Sequence, residues 1–126
     1  MFGKKLKELR QEKHIHSPDI AKEIGLHQTT VWYFENRDPE SIDLYLSFLA
    51  KNGVDLNKAF ASESENIARY LKKERQELKI SWQEITNSIG ITQSSLSYLE
   101  NRENTPFINY LKYLVQKDVD LNQVFG

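Results

Sequence analysis

His14 and His16 are the residues whose types and spacing come closest to a metal site. A stable site would need further ligands, but the sequence places no cysteine and no suitable trio of carboxylates near this pair. The chain contains no cysteine at all, which excludes disulfides, thiolate zinc sites and thiol redox chemistry. We therefore expect neither a metal nor a cofactor.

Signatures of catalysis and of membrane insertion are also absent from the sequence. No Ser-His-Asp arrangement, phosphate-cradling glycine loop or paired-carboxylate pattern appears, so we do not expect an enzyme or a small-molecule substrate. No apolar run approaches the roughly 20 residues that a membrane helix needs, and the N-terminal segment lacks a signal-peptide core. These features predict a cytoplasmic protein that has no membrane partner.

Composition is typical of a packed globular chain, with 39% hydrophobic and 28% charged residues. The formal net charge of the 126 residues is -1. A protein that binds a polyanion gains much of its affinity by neutralising phosphates. Any basic surface in this chain must therefore be local.

An internal repeat organises the sequence. Residues 6–60 align without a gap with residues 71–125, and about 22 of the 55 aligned pairs are identical. The repeat predicts two domains, 1–61 and 62–126, joined by a short linker at 61–66. Because the linker is short, we expect the two units to stand close together, where each could shelter apolar surface of the other in an internal pseudo-dimer.

Apolar residues recur at intervals of three and four, which predicts an all-α fold of five helices per unit. Gly25 and Gly90 follow apolar residues and are expected to end the second helix of each unit in a left-handed conformation. The third helix then runs from about Gln28 to Asn36, and from about Gln93 to Asn101. Its inward residues are predicted to be Val31, Phe34, Leu96 and Leu99.

Several helix starts are marked by capping residues. Ser17 followed by Pro18 predicts an N-cap and a first-turn proline in the first repeat. Ser81 and Glu84 predict a capping box at the same place in the second repeat. Asp55 and Asp120, in the repeated Val-Asp-Leu-Asn segment, are the expected N-caps of the fifth helices.

Two segments resemble the helix-turn-helix of the Xre or Cro-like phage-repressor family, whose fold is lambda-repressor-like. They are IHSPDIAKEIGLHQTTVWYFENRDPES at 15–41 and ISWQEITNSIGITQSSLSYLENRENTP at 80–106. The similarity continues through both Val-Asp-Leu-Asn segments. It implies two tandem five-helix domains and a transcriptional regulator that binds double-stranded DNA, such as a repressor of a phage, plasmid or other mobile element.

The resemblance also implies which residues meet DNA, because in this family the helix after the glycine enters the major groove. The corresponding residues are His27, Gln28, Thr29 and Trp32 in the first repeat, and Thr92, Gln93, Ser94 and Ser97 in the second. Gln28 and Gln93 are the strongest candidates, since one side-chain amide can donate to and accept from the edge of adenine.

The repeated Asn-Arg pairs at the end of the third helices have two interpretations. Asn36 with Arg37, and Asn101 with Arg102, could contact the DNA backbone, or they could serve as helix C-caps with a favourable cation. The resemblance further implies structural ion pairs between Arg10 and Glu35 and between Arg75 and Glu100. Other basic residues of the first helices are interleaved with glutamates, which favours a solvated face laced by i,i+4 pairs.

Two tryptophans distinguish the repeats and suggest a rival function. Trp32 stands where the second repeat has Ser97, and Trp82 replaces a polar residue that often touches phosphate in the family. Either indole could pack against sugars or thymine methyls, or could fill a contact between the units; packing is favoured for Trp82. The rival is a protein-interaction module derived from a helix-turn-helix repressor, partnered by a second copy or by another regulatory protein.

Overall fold

The computed structural model describes residues 2–64, 66–102 and 105–126, which form ten helices and no strand and so confirm the all-α prediction. The helices of the first repeat are α1 Phe2–Glu12, α2 Ser17–Ile24, α3 Gln28–Asn36, α4 Ser41–Lys51 and α5 Leu56–Ala61. Those of the second are α6 Ile67–Glu77, α7 Trp82–Ile89, α8 Gln93–Asn101, α9 Pro106–Gln116 and α10 Leu121–Phe125. Glu65 of the predicted linker, and Glu103 and Asn104 of the 80–106 segment, lie outside the described residues.

The glycine turns adopt the predicted conformation. Gly25 and Gly90 close α2 and α7 with φ of 70° and 71°, in the left-handed region that a residue with a Cβ adopts only at a cost. Each turn lets the chain start the next helix, α3 or α8, only three residues later. The bounds of α3 and α8 are those expected from the sequence.

Most predicted caps are present, and one is displaced. The carboxylates of Asp55 and Asp120 cap α5 and α10, and the hydroxyl of Ser81 accepts a hydrogen bond from the backbone N–H of Glu84. The capping box predicted at α7 is thus only half formed, because no hydrogen bond among the described residues joins the Glu84 side chain to the backbone N–H of Ser81. Ser17 was expected to cap α2, but it is already the first helical residue. His16 occupies the cap position without a side-chain bond, and a proline lies in the first turn. The proline fixes a helical φ there without a capping hydroxyl.

The repeats exchange their fourth helices. α4 of the first repeat packs against α7 of the second, and α9 of the second repeat packs against α2 of the first. We call α1, α2, α3 and α9 the first lobe, and α6, α7, α8 and α4 the second lobe. α5 contacts α9, α10 contacts α4, and α5 and α10 also touch each other between the lobes.

Aromatic side chains join residues of different repeats inside this shared core. The ring centroids of Phe34 and Phe107 lie 5.1 Å apart, and those of Phe2 and Phe125 lie 5.2 Å apart. Ser47 donates a hydrogen bond across the repeats to the backbone carbonyl of Phe125, at 2.8 Å. Residues 1–61 and 62–126 therefore share one core, and their division into two domains stays a prediction.

The two Val-Asp-Leu-Asn segments meet in a reciprocal hydrogen-bond exchange. The Asn57 side chain accepts from the backbone N–H of Leu121, and that of Asn122 accepts from the backbone N–H of Leu56. Asn122 also donates to Asp55, and this bond is the main reason why the pKa of Asp55 is lowered. Each Asn thus accepts a hydrogen bond from a backbone N–H in the first turn of the other repeat's helix. The Val-Asp-Leu-Asn segment therefore links the two repeats as well as starting a helix.

Candidate nucleic-acid interface

The third helices α3 and α8 each bury one face and present the other to solvent. Val31, Phe34 and Leu96 are buried and Leu99 is half-buried, as the periodicity predicted. Since successive turns of a helix stack at intervals of three and four residues, the opposite face collects the polar residues. Each lobe thus contributes one outward-facing helix that follows a glycine turn.

Nearly all of the residues assigned to DNA by resemblance are exposed. The exposed ones are His27, Gln28, Thr29, Trp32, Asn36, Thr92, Gln93, Ser94, Ser97, Asn101 and Arg102. Arg37 is the exception. Gln28 and Gln93 are both open to solvent, so neither is enclosed between the repeats.

The polar face of α8 is partly ordered by its own hydrogen bonds. Thr92 caps the helix by accepting from the backbone N–H of Ser95, and its hydroxyl lies 3.0 Å from that of Ser95. Asn101 donates to the carbonyl and the hydroxyl of Ser97 one turn earlier. Within the described part of the chain, no hydrogen bond involves the side-chain amide of Gln93 or Gln28, so both amides are available to a partner.

Both expected ion pairs are present and fix α3 and α8 from behind. Arg10 donates two hydrogen bonds to the carboxylate of Glu35, at 2.6 and 2.8 Å, and a third to a backbone carbonyl. Arg75 and Glu100 repeat this geometry in the second lobe. All four side chains are under a tenth exposed. The carboxylate bonds raise the pKa of both arginines, so the guanidinium groups stay charged.

A tyrosine from the opposite repeat completes each buried pair. Tyr110 on α9 donates to Glu35 at 2.5 Å, and Tyr45 on α4 donates to Glu100 at 2.8 Å. Burial, followed by the adjacent carboxylate, raises the pKa of both phenols well above the usual value, so they remain protonated donors. Each outward-facing helix is therefore anchored by both repeats.

Arg37 and Arg102 occupy the same place in the two repeats but different surroundings. The Arg37 side chain is only 8% exposed and lies 3.3 Å from the carboxylate of Asp43. Its guanidinium also sits over the ring of Phe107, 4.3 Å from the centroid. This burial favours the structural interpretation of Arg37 over a phosphate contact. Arg102 is exposed, with its guanidinium 4.9 Å from the ring centroid of Tyr98, and keeps both interpretations open.

Lysines of the first helix lie near the end of α3. Lys4, Lys7 and Asn36 line a shallow cleft of about 490 Å³, together with the acidic side chains of Glu8 and Asp38. Among residues 2–64, 66–102 and 105–126, no ion pair joins two residues of α1 or two residues of α6. The i,i+4 pairs expected along these first helices are therefore not formed. Lys4 is exposed and Lys7 is half-buried, and neither belongs to an ion pair among the described residues.

The two tryptophans differ in exposure. Trp32, in the middle of α3, is 64% exposed, and Trp82, at the start of α7, is 38% exposed. Trp32 thus lies on the outer face rather than between the repeats. Trp82 packs only in part, so the packing role favoured for it is incomplete.

No protein-family model matches the chain, and comparison with curated proteins and with solved structures found no similar protein. No helix in the described residues is long and apolar enough to cross a membrane. Those residues also contain no cluster of three or more metal-ligating side chains, and His14 and His16 do not form part of one.

Sequence reasoning missed the residues that join the repeats. In the sequence, Tyr45 and Tyr110 fit the apolar period of a fourth helix, and Asn57 and Asn122 follow a predicted cap, so none of the four stands out as a contact between repeats. All four are identical between the aligned repeats. Identity at a buried tyrosine and at an asparagine after a cap is the signal that could have marked them, since both carry groups that need a partner.

Proposed function

We propose that this chain is a sequence-specific, double-stranded DNA-binding regulator in which each lobe presents one helix-turn-helix to the major groove. The observation that supports this most is the duplicated presentation of α3 and α8. Each follows a left-handed glycine, turns a face with a free glutamine amide to solvent, and is held by a buried Arg-Glu-Tyr cluster. Rigid support of this kind is what a base-reading helix requires.

In the proposed complex, Gln28 and Gln93 contact adenine edges through their amides. Exposed Asn101 and Arg102 in the second lobe, and the Lys4–Lys7 cleft in the first, lie where they can contact phosphates. The proposed phosphate contacts are confined to these few side chains, since the net charge of the chain is -1. The regulator needs no metal or cofactor, and a cytoplasmic repressor of a mobile element remains the proposed context.

The reading faces of the lobes are not equivalent. Gln is shared, but His27, Thr29 and Trp32 on one side correspond to Thr92, Ser94 and Ser97 on the other. Contacts to bases determine which sequence is bound, whereas contacts to phosphates only position the protein on the duplex. The two halves of the bound site should therefore differ in sequence. The expected operator is therefore asymmetric.

The experiment is selection of bound duplexes from random DNA by the full chain, followed by binding measurements over a range of salt. Gln28→Ala and Gln93→Ala should each relax the preference in one half-site only, by about 1 to 3 kcal/mol if the contact is bidentate. Gln116→Ala, an exposed glutamine at the end of α9, is the matched control and should change nothing. Affinity should fall steeply as salt rises.

One observation supports the second candidate, a protein-interaction module derived from such a repressor. Trp32 and Tyr33 expose two neighbouring aromatic rings on α3, and aromatic residues are enriched where proteins bind each other. Absence of duplex binding at low salt would contradict the DNA proposal and favour this candidate. If the selected DNA motif is unchanged in both glutamine variants, Gln28 and Gln93 do not read bases, although the chain still binds DNA.

A further inference from the structure

Trp32 is the most exposed large hydrophobic side chain in the described part of the molecule, at 64%. A single exposed apolar side chain on a protein surface needs no special explanation. The position of Trp32 nevertheless suggests a role. Its neighbours on the helix face, Gln28 and Asn36, lie four residues to either side and are also exposed. The indole is thus at the centre of the proposed reading face of α3.

The helix backbone around Trp32 is held in position by its neighbours. The Asn36 side chain donates a 2.8 Å hydrogen bond to the carbonyl of Trp32, and Phe34 and Glu35 hold the opposite side of the helix in the core. The indole has no aromatic stacking partner among the described residues. Its flat apolar face is therefore available to whatever docks on α3.

The equivalent place in the second lobe carries a different chemistry. Ser97 on α8 is small and polar, and its hydroxyl accepts a bond from Asn101. The flanking Gln and Asn residues are the same in both lobes. Trp32 is therefore the largest difference between two otherwise similar faces.

We propose that Trp32 recognises the C5 methyl group of thymine, and so requires a thymine in the half-site that α3 contacts. The base edges of the major groove present hydrogen-bonding groups and one apolar group, the thymine methyl. An indole face can bury that methyl, whereas Ser97 reads polar groups only. This inference rests on the proposed function and adds the base chemistry that makes the two half-sites unlike.

The test replaces single thymines by deoxyuracil in a duplex obtained by selection, which removes the methyl and leaves the hydrogen-bonding edge unchanged. The wild-type chain should lose about fourfold in affinity at one thymine of one half-site, the value of one buried carbon. Uracil at thymines in the other half-site should have little effect.

Three substitutions assign the effect to this side chain. Trp32→Ser should abolish the discrimination between thymine and uracil at that position, whereas Trp32→Phe should retain part of it. The reciprocal Ser97→Trp should create a new thymine preference in the other half-site. Since both positions are exposed, these changes leave the core intact.

Fluorescence gives an independent readout on the folded chain. Trp82→Phe leaves Trp32 as the sole indole, because the chain has two tryptophans. Its emission should shift to the blue when the selected duplex binds. An unshifted emission would contradict burial of the indole in the groove.

The outcomes separate this inference from the proposed function. If the chain binds duplex DNA but Trp32→Ser and the wild type respond alike to uracil at every position, the methyl contact is overturned and the regulator stands. If no duplex binds at low salt, both are overturned, and Trp32 belongs to a protein-binding surface instead.

Discussion

The ends of α3 and α8 carry the same Asn-Arg dipeptide and use the arginine differently. Arg37, after α3, is enclosed by Asp43 and Phe107. The residues aligned with these two are Ile108 and Ile42, which offer no carboxylate and no ring, and Arg102 stays exposed. A residue repeated by duplication thus takes its role from its tertiary neighbours, not from the local sequence.

By contrast, the buried Arg-Glu-Tyr clusters are the same in both lobes. Each joins two residues of one repeat to a tyrosine of the other, and each is under a tenth exposed. Interior polar groups have few ways to satisfy their hydrogen bonds, so divergence there is costly. These two clusters preserve the symmetry that is lost around Arg37 and Arg102.

The largest expected effect is on this shared interior. Glu35→Ala and Glu100→Ala each leave a buried arginine without its carboxylate, and each should lower the free energy of unfolding by about 3 to 5 kcal/mol. Urea titration followed by circular dichroism measures the loss. Because the repeats share one core, each variant should unfold in a single transition.

The two lobes would be independent units if either substitution unfolded one lobe and left the other folded. A two-step urea curve in either variant, with one lobe unfolding first, would contradict the shared core. Glu35→Gln is a milder companion that retains an acceptor for Tyr110, and Asp38→Ala, an exposed acid beside the same helix, is the control.

A smaller effect should separate the two arginines. Arg37→Ala leaves the buried carboxylate of Asp43 without its cation, and we expect a loss of about 3 kcal/mol. Arg102→Ala should change the free energy of unfolding by less than about 0.5 kcal/mol, since the side chain is exposed. Thermal and urea unfolding of the two variants check this directly. Equal losses would mean that Arg102 is also a structural residue.

Alkaline pH should have an effect on stability that is alike in both lobes. Burial raises the pKa of Tyr45 and Tyr110, so above about pH 10 the unfolded chain releases phenolic protons that the folded chain keeps. The stability is fully present below that pH and falls as pH rises towards the folded pKa values, by about 1.4 kcal/mol per pH unit for each phenol. Urea titrations at increasing pH measure the slope.

Phenylalanine variants identify the source of that slope. Tyr45→Phe with Tyr110→Phe removes both ionisable groups, so the doubly substituted chain should have a shallower alkaline decline despite its lower stability at neutral pH. A decline of unchanged slope would assign the effect to other groups, such as Tyr33, whose pKa is raised by its hydrogen bond to Glu40.

Much of the local structure could be predicted from the sequence because it depends on local rules. Gly25 and Gly90 end helices, Asp55 and Asp120 begin them, and the apolar period sets the inner faces of α3 and α8. The ion pairs followed from the resemblance. These features do not depend on how the repeats are arranged.

The exchange of α4 and α9 could not be predicted in the same way. The apolar residues of the two helices are identical in the aligned repeats: Tyr45, Leu46 and Leu49 in α4 correspond to Tyr110, Leu111 and Leu114 in α9. Either helix therefore has the residues to pack on its own repeat or on the other. An apolar stripe shows that a face is buried but not which copy covers it. The burial of Arg37 was hidden for the same reason, because half of its enclosure comes from α9.

The reciprocal asparagine exchange between α5 and α10 bears on how the molecule behaves on dilution. Two separate subunits joined by such contacts would part as their concentration falls, because association follows mass action. Here both sides of the joint belong to one polypeptide, so the pairing persists at the lowest copy number. If the chain binds DNA as proposed, the occupancy of its DNA site should rise with the first power of protein concentration, not with its square.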